Sequence, residues 1–563
     1  MTDAAAGEPL AGAGAGASDR GAARRAAAGM GVATAVSRGF GFVRVLVVAA
    51  VLGTTYLGNA YQSSNSVSNV LFEIVAAGAL SAVLVPTFVD LLDRGDRARA
   101  EHLAGRVLGL ALVVLGLVTI VGVVGAPWIA ALLTRGVADA TKAAQQRALS
   151  TTLLRWFVPQ VLLYAVGAVA VAVCYARRHL TVTAIAPVGF TAVTVVTMVA
   201  FRWMTGPDPT VDLTTAQTLV LAIGGTVGVA AFVGIPTVAV WRSGFRLVPR
   251  LGRHDDDVRR VVRLSGWAVF QHTLIGLLLG AAIVIGNSVK GGTVAYQVAF
   301  VFFMAPYAIL AQPVHTAILS DLARQADDPA AFAASVRWAF GNLVKLVVPV
   351  SALLMALAYP AMRVVSFGGV GVEGTRLIAA GVASLAVGLV GYSAFLLFAR
   401  AYYALGDSRT PALVALASAV VGVAVMVVGG LSFHGGAVVA ALGLGHSVAY
   451  TLGAVVLGVG IARRTGQRVW PRALVPAVVA AIPGAVVAWL VGAAVEPAGR
   501  VLTALLVIGL VAFALATYLL GLRLTGAGTL PLRGRRTAGA SEGPGHFGDL
   551  GVLDEPADPA LES

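Results

Sequence analysis

Two arginines interrupt a stretch that lipid should line. Residues 30–53 are mostly Val, Ala, Leu, Phe and Gly, broken by Arg38 and Arg44, and about 20 mostly apolar residues suffice to cross a bilayer. A guanidinium keeps its charge, and placing one at mid-bilayer costs at least ~2.5–3.5 kcal/mol on insertion scales. The chemistry open to such a pair is to hold an anion in a wet cavity. Arg38, near the inner end, could also snorkel to the headgroups. Arg44 lies about 9 Å further along the axis, where that escape is harder. Gly39 and Gly41 thin the helix between them, so a neighbouring helix or a ligand could come close.

The next apolar stretch opens unusually polar, Tyr61 to Glu73 reading YQSSNSVSNVLFE. Gln62, Asn65 or Ser66, Asn69 and Glu73 recur at three- or four-residue steps and share one helix face. Such a stripe should face the interior of a bundle. For the serines, interhelical hydrogen bonding is the simpler role, worth about 0.6 kcal/mol per contact. Glu73 differs, because a carboxylate there needs a cation, a proton or an arginine, and Arg44 is the nearest arginine to hand. Further on, Gln297, Tyr307, Gln312, His315 and Asp321 fall in one apolar stretch, and Gln271 and His272 in the one before. Histidines in that setting are expected to be satisfied by a neighbouring carbonyl rather than to act. In 406–411, Gly406 and Asp407 stop one helix and Pro411 opens the next, a hinge or cap.

These residues require membrane helices to hold them. The chain has 563 residues, 58% hydrophobic and only 12% charged, against about 25% charged in soluble domains. The net charge of +14 does not point to nucleic acid, because the basic residues sit in short loops between apolar stretches, as on the cytoplasmic face of a membrane protein. A single cysteine, Cys174, excludes a disulfide framework and a cysteine-cluster metal site. No phosphate-binding glycine loop, dinucleotide fingerprint or paired-histidine metal motif occurs. Neither an enzyme nor a cofactor is expected, and energy would come from an ion gradient, the membrane potential or downhill use of the substrate.

The expected fold is all-α and polytopic. Apolar windows fall at 30–53, 58–92, 103–133, 152–176, 179–203, 214–241, 262–287, 292–321, 336–364, 375–404, 410–433, 436–462, 472–495 and 500–522, about fourteen transmembrane helices. The second and eighth are too long for a simple span and should be tilted or broken. With both termini inside, the inner loops collect the arginines (Arg94, Arg97, Arg99; Arg177, Arg178; Arg242 to Arg263; Arg463 to Arg472), and most outer loops carry one or none.

Two echoes suggest a repeat. Tyr175 to Thr183 resembles Tyr403 to Pro411, and Ala60-Tyr61-Gln62 resembles Ala295-Tyr296-Gln297, both at an offset of roughly 230 residues. The expected organisation is a disordered tail at 1–28, an N-lobe of six helices at 29–241, a C-lobe of six at 242–463, two more helices at 464–522 and a disordered tail at 523–563. Transporters built this way bind between their repeats and rock one against the other.

The order of motifs resembles the MurJ/MviN family. It is carried by Ser37-Arg38-Gly39-Phe40-Gly41-Phe42-Val43-Arg44, by Asn69, Gly78-Ala79 and Leu84-Val85-Pro86, by Ala126-Pro127-Trp128 and by the Tyr403 to Pro411 turn, within about 30–522. The resemblance implies an alternating-access flippase for lipid II, the undecaprenyl-pyrophosphate-linked peptidoglycan precursor, in the bacterial cytoplasmic membrane. It implies that Arg38 and Arg44 meet the pyrophosphate. Asn65, Asn69 and Gln297 would then hydrogen-bond sugar or peptide, and Glu73 would orient Arg44 or carry a coupling proton or monovalent cation. Membrane lipids and cell-wall synthesis proteins are the other expected partners.

The chain departs from the family pattern at several charges. The family's aspartate at the start of helix two falls on Asn59, its paired arginines on Phe72 and Glu73, the following acid on Ala77, and a helix-eight arginine near Val301. Those losses keep three alternatives open: an exporter of another lipid-linked glycan, an ion-coupled drug antiporter, and a non-transporting cell-wall scaffold.

Overall fold

The computed structural model describes residues 39–72, 78–177, 179–250, 276–495 and 499–526, and all of its regular structure is helical. In chain order the helices are α1 (Gly39–Leu52), α2 (Tyr56–Phe72), α3 (Gly78–Asp93), α4 (Arg97–Leu133), α5 (Ala140–Phe157), α6 (Gln160–Ala176), α7 (Leu180–Thr205), α8 (Thr215–Arg242) and α9 (Gly276–Gly286). Then come α10 (Gly292–Pro306), α11 (Gln312–Arg324), α12 (Pro329–Ala356), α13 (Ala358–Val365), α14 (Gly371–Val387), α15 (Leu389–Ala404), α16 (Arg409–Ser432), α17 (Gly436–Thr465), α18 (Leu474–Ala494) and α19 (Arg500–Leu524). Eleven described helical runs are long and apolar enough to cross a membrane, and α1 and α9 are shorter apolar helices.

Local chemistry sets the helix ends. Asp96, Asp139 and Asp328 accept from backbone amides at the starts of α4, α5 and α12, and Thr214 with Gln217 forms a reciprocal capping box at α8. Each meets amides that the helix itself cannot satisfy. The cap at Asp139 starts α5 well before the apolar window at 152, because the polar turns hold Gln146 and Ser150 buried against other helices. The long eighth window does break. Pro306 lacks an amide hydrogen, and the chain continues through a π-helical turn at Tyr307–Ala311 before α11. The ninth window breaks too, between α12 and α13 at Leu357.

Helices α2–α8 pack chiefly on one another, as do α10–α19. Leu84, Phe88, Leu103, Leu108, Val169 and Val173 form the α3–α4–α6 core, while Leu57, Leu153, Phe157, Phe201 and Leu221 tie α2 to α5, α7 and α8. In the second group Phe340, Phe398 and Trp470 pack edge to face. Apolar side chains also point outward: Leu117, Ile120, Val121 and Val124 on α4, and Val501, Leu505 and Ile508 on α19, are exposed. An apolar exterior of that kind suits acyl chains as solvent.

The loops divide the molecule into two ends. One carries 94–96, 177, 243–250, 405–408 and 466–473 and is rich in arginine; the other carries 53–55, 134–139, 206–214, 287–291 and 366–370.

Candidate functional site

Arg44 lies on α1, about nine residues or 13 Å from the arginine-poor end. It is half-buried, with its guanidinium carbon 4.4 Å from the centre of the Phe190 ring on α7. Tyr61 of α2 and Tyr164 of α6 lie in its neighbourhood. A cation over a ring face still has N–H groups turned away from the ring that can donate to an anion. Among the described residues no carboxylate pairs with Arg44. Gly39 and Gly41 border open space, since a Cβ at either would meet nothing within 4 Å. Among the described residues, then, no neighbouring helix makes use of their small size.

Two residues before Arg44, Phe42 turns the other way and meets Phe302 of α10 edge to face, centroids 4.8 Å apart. Helix α1 thus touches both groups of helices. The Thr191 hydroxyl on α7 donates to the Phe40 carbonyl at 3.4 Å, a long contact beside the exposed start of α1.

The polar stripe of α2 faces inward, and much of it is committed to the second group of helices. Asn59 donates through Nδ2 to the Val289 carbonyl at 2.9 Å and accepts the Thr293 amide through Oδ1 at 3.1 Å. An aspartate there could not make the first of these bonds, so the departure at Asn59 has a structural use. Asn287 donates to the Ser63 hydroxyl at 2.8 Å and accepts from Gln146 at 3.0 Å. Gln297 donates to the Ser66 hydroxyl at 2.6 Å and reaches the Gln62 carbonyl at 3.4 Å. Thr54 donates to the Val370 carbonyl at 2.9 Å.

These bonds cluster toward the arginine-poor end, where glycine lets backbones touch. Gly291 has φ of 75° and lies so close to Thr54 that a Cβ would collide with its backbone; Gly374 likewise abuts the Thr54 side chain. The Gly368 φ of 64° places that residue against the Ala50 carbonyl. The arginine-poor end is closed.

The expected site residues therefore separate. Gln297 lies where the two groups of helices meet and is bonded to α2, whereas the Phe190 ring beside Arg44 belongs to the first group. Asn69 accepts from the Tyr164 hydroxyl at 3.2 Å, within the first group. Asn65 is half-buried on α2. Arg38, Glu73, Gln271 and His272 lie outside the described residues. His315 is buried with Tyr307 3.5 Å from its Nδ1, whereas Asp321 is exposed and paired with Arg324 at 2.7 Å. Sequence reasoning did not single out Asn287, Gln146 or the rings around Arg44. Asn287 follows the end of α9 and Gln146 sits in a polar stretch of α5, where solvent is the ordinary partner, and only tertiary packing buries them.

The 406–411 turn is a cap. Asp407 accepts from the Thr410 amide at 2.9 Å, the Thr410 hydroxyl at 2.7 Å and Arg464 at 2.6 Å. Partial burial works to raise its carboxyl pKa, but these donors outweigh that and hold it below the ordinary carboxylate range.

Comparison with known proteins agrees with this architecture. Residues 48–510 match the family described as lipid II flippase MurJ. A probable lipid II flippase MurJ of Rhizobium tropici is 26% identical over 451 residues, 78% of this chain and 81% of that protein. A solved structure of lipid II flippase MurJ in an inward closed conformation superposes with a TM-score of 0.69 at 15% identity, covering 88% of this chain and 99% of that one. An inward-facing multidrug-resistance MATE transporter of the MOP superfamily gives 0.60 at 13% identity, covering 76% and 94%, a likeness of fold alone. The alternatives of drug antiporter, other glycan exporter and scaffold gain no support from the sequence matches.

Proposed function

The chain belongs to the lipid II flippase MurJ family, a family of multi-pass bacterial inner-membrane transporters, and from that premise we propose that it moves lipid II from the inner to the outer leaflet by alternating access. Both termini lie in the cytoplasm on this reading, which makes the arginine-poor end the outer one. The observation that carries it is Arg44: a permanent cation over the Phe190 ring at membrane depth, with no described carboxylate to neutralise it. A pyrophosphate would neutralise it through charge-assisted, bidentate bonds, the strongest a side chain offers an anion. Arg38 would share that headgroup, and Asn65 would meet sugar or peptide. Glu73 would orient Arg44 or carry a coupling proton or monovalent cation.

The lobes 29–241 and 242–463 would be the rocking bodies. With the outer end closed, headgroup enters from the cytoplasmic side while the prenyl tail stays in lipid. Opening outward requires the Asn59–Val289, Asn287–Ser63 and Gln297–Ser66 bonds to break, each worth about 0.5–1.5 kcal/mol net. That total is within the ~5.5 kcal/mol by which a ligand must discriminate two states to reverse a 1:99 population. Gln297 and Asn69 would then exchange protein partners for substrate.

Depletion tests this directly. Loss of the protein should trap lipid II on the inner leaflet, read as precursor inaccessible to an externally added lipid II-cleaving toxin. Unchanged accessibility in cells with no second flippase would end the reading.

A further inference from the structure

The second group of helices holds a buried histidine that the transport site does not use. His446 lies on α17, about ten residues or 15 Å from the arginine-poor end of that helix, and is 2% exposed. Its Nε2 is hydrogen-bonded to the hydroxyl of Tyr296 on α10. Its Nδ1 is buried and has no hydrogen-bond partner among the described residues. Leaving a buried polar atom unsatisfied costs about 1–3 kcal/mol, and no neighbouring carbonyl relieves that cost here. Phe300 and Tyr450 flank the ring, each with its centroid 5.7 Å away.

From His446 a row of polar rings runs toward the arginine-rich end. Tyr450 meets Tyr392 of α15 at 4.7 Å between centroids, Tyr392 meets Tyr307 at 4.8 Å, and Tyr307 meets His315 of α11 at 5.7 Å. Tyr307 opens the π-helical turn, a backbone form frequent at functional sites. Ionisable groups in series through a membrane bundle mark proton relays.

Among the described residues no carboxylate stands at the depth of His446. Of the elements packed against α17, α10 brings Tyr296 and α15 brings Tyr392, with Arg400 further along beside His315. Helix α14 carries Glu373 and Arg376, and α16 carries Arg409, all exposed near helix ends. Arg337 and Lys345 of α12 line a cleft with Trp470 and Pro476 instead, and Arg463 and Arg464 stand in the last turn of α17. An imidazolium in this arrangement would be a buried charge with no anion beside it, which is costly. Helix α10 would transmit that cost. Besides Tyr296 it carries Thr293, bonded to Asn59, Gln297, bonded to Ser66, and Phe302, which meets Phe42 two residues before Arg44.

We propose that His446, bonded to Tyr296, is a proton-binding site that couples a proton gradient to opening of the outer end. The proposal rests on the flippase reading and leaves Glu73 the role of orienting Arg44. In the tautomer whose Nε2–H donates to the Tyr296 oxygen, Nδ1 carries a bare lone pair. A proton from outer water adds there when α10 withdraws and the ring is hydrated, and no covalent bond breaks. Resealing buries the ring again and returns the proton along the row toward the cytoplasm. Proton binding thus favours the open outer end, and headgroup moves out as protons move in.

The test uses no lipid II, so its failure leaves the flippase reading intact, and a failed depletion experiment leaves the proton site to be judged by itself. The full chain with Cys174→Ala is placed in lipid nanodiscs. Ser288→Cys, at a position that lies against Gly136 of the first group, is labelled with a maleimide. Its rate is divided by that of Thr210→Cys, exposed on another outer loop, which removes the pH dependence of the thiol itself. The ratio should rise severalfold between about pH 8 and about pH 5, the range in which an imidazole changes charge. His446→Gln, which can still bond Tyr296 but takes up no proton, should abolish most of that rise. Tyr296→Phe removes the bond that the sealed state makes to the ring and should raise the ratio severalfold at about pH 8. Unchanged labelling of Thr210→Cys checks folding in each variant. A flat ratio with His446 and Tyr296 both in place, an unaltered rise in His446→Gln, or an unchanged ratio at the alkaline end in Tyr296→Phe overturns the proposal.

Discussion

At the scale of single residues, Arg44 combines a fixed charge with an orientation that matters. The Phe190 ring holds the guanidinium carbon 4.4 Å from its centre, so the cation has a place before any ligand arrives. Hydrogen bonds to a charged group contribute about 1.5–3 kcal/mol, and each 1.4 kcal/mol is tenfold in affinity. Arg44→Ala should therefore lower lipid II binding and transport at least tenfold with membrane insertion intact. Arg44→Lys, which keeps the charge and loses the planar fork, should recover only part of it; full recovery would show that the charge alone matters. Glu73→Gln separates the two roles proposed for that carboxylate. If it carries the coupling ion, the variant should lose the pH or sodium dependence of transport in proteoliposomes; if it only orients Arg44, that dependence should persist at a reduced rate.

At the scale of elements, the 406–411 turn shows how a cap binds two helices. Asp407 caps the start of α16 and also holds Arg464 on the last turn of α17. Its carboxyl pKa is held below the ordinary range, so the folded state favours the ionised form. The stabilisation is complete above the ordinary carboxylate pKa and fades as pH falls through the lowered value. Asp407→Asn should cost about 0.5–1 kcal/mol at neutral pH, as a lost cap with a solvent-screened ion pair does. The gap from wild type should close in acid. Thermal unfolding in detergent at pH 7 and near pH 3 checks both statements.

At the scale of the whole molecule, closure at the arginine-poor end depends on backbones meeting at glycine. Gly291 needs both its positive φ and its missing Cβ to lie against Thr54. Gly291→Ala should keep that end from sealing and shift the population toward outward-open. In a Cys174→Ala background, Ser288→Cys should react severalfold faster with a membrane-impermeant maleimide added outside when Gly291→Ala is present. Equal labelling would place the seal elsewhere. The same change should weaken entry of lipid II from the inner leaflet, because an equilibrium drawn to one state lowers apparent affinity for a ligand of the other.

Hydropathy and charge alone determine that this chain is helical and multi-pass, since a bilayer permits only structures that satisfy their backbone internally and the 3.6-residue period shows which faces are polar. They also mark Arg44, because an arginine in lipid is costly wherever it stands. The breaks at Pro306 and at Gly406-Asp407 follow from local chemistry in the same way. What only the tertiary structure decided is the use of the polar stripe. Gln62, Asn65 or Ser66 and Asn69 read from the sequence as one inward face, and nothing local tells whether such a face meets a ligand or another helix. Residues more than 200 positions apart answer that: Asn59 with Val289, Ser63 with Asn287, Ser66 with Gln297. A hydrogen-bonding group advertises its need for a partner, but the fold chooses which one it meets.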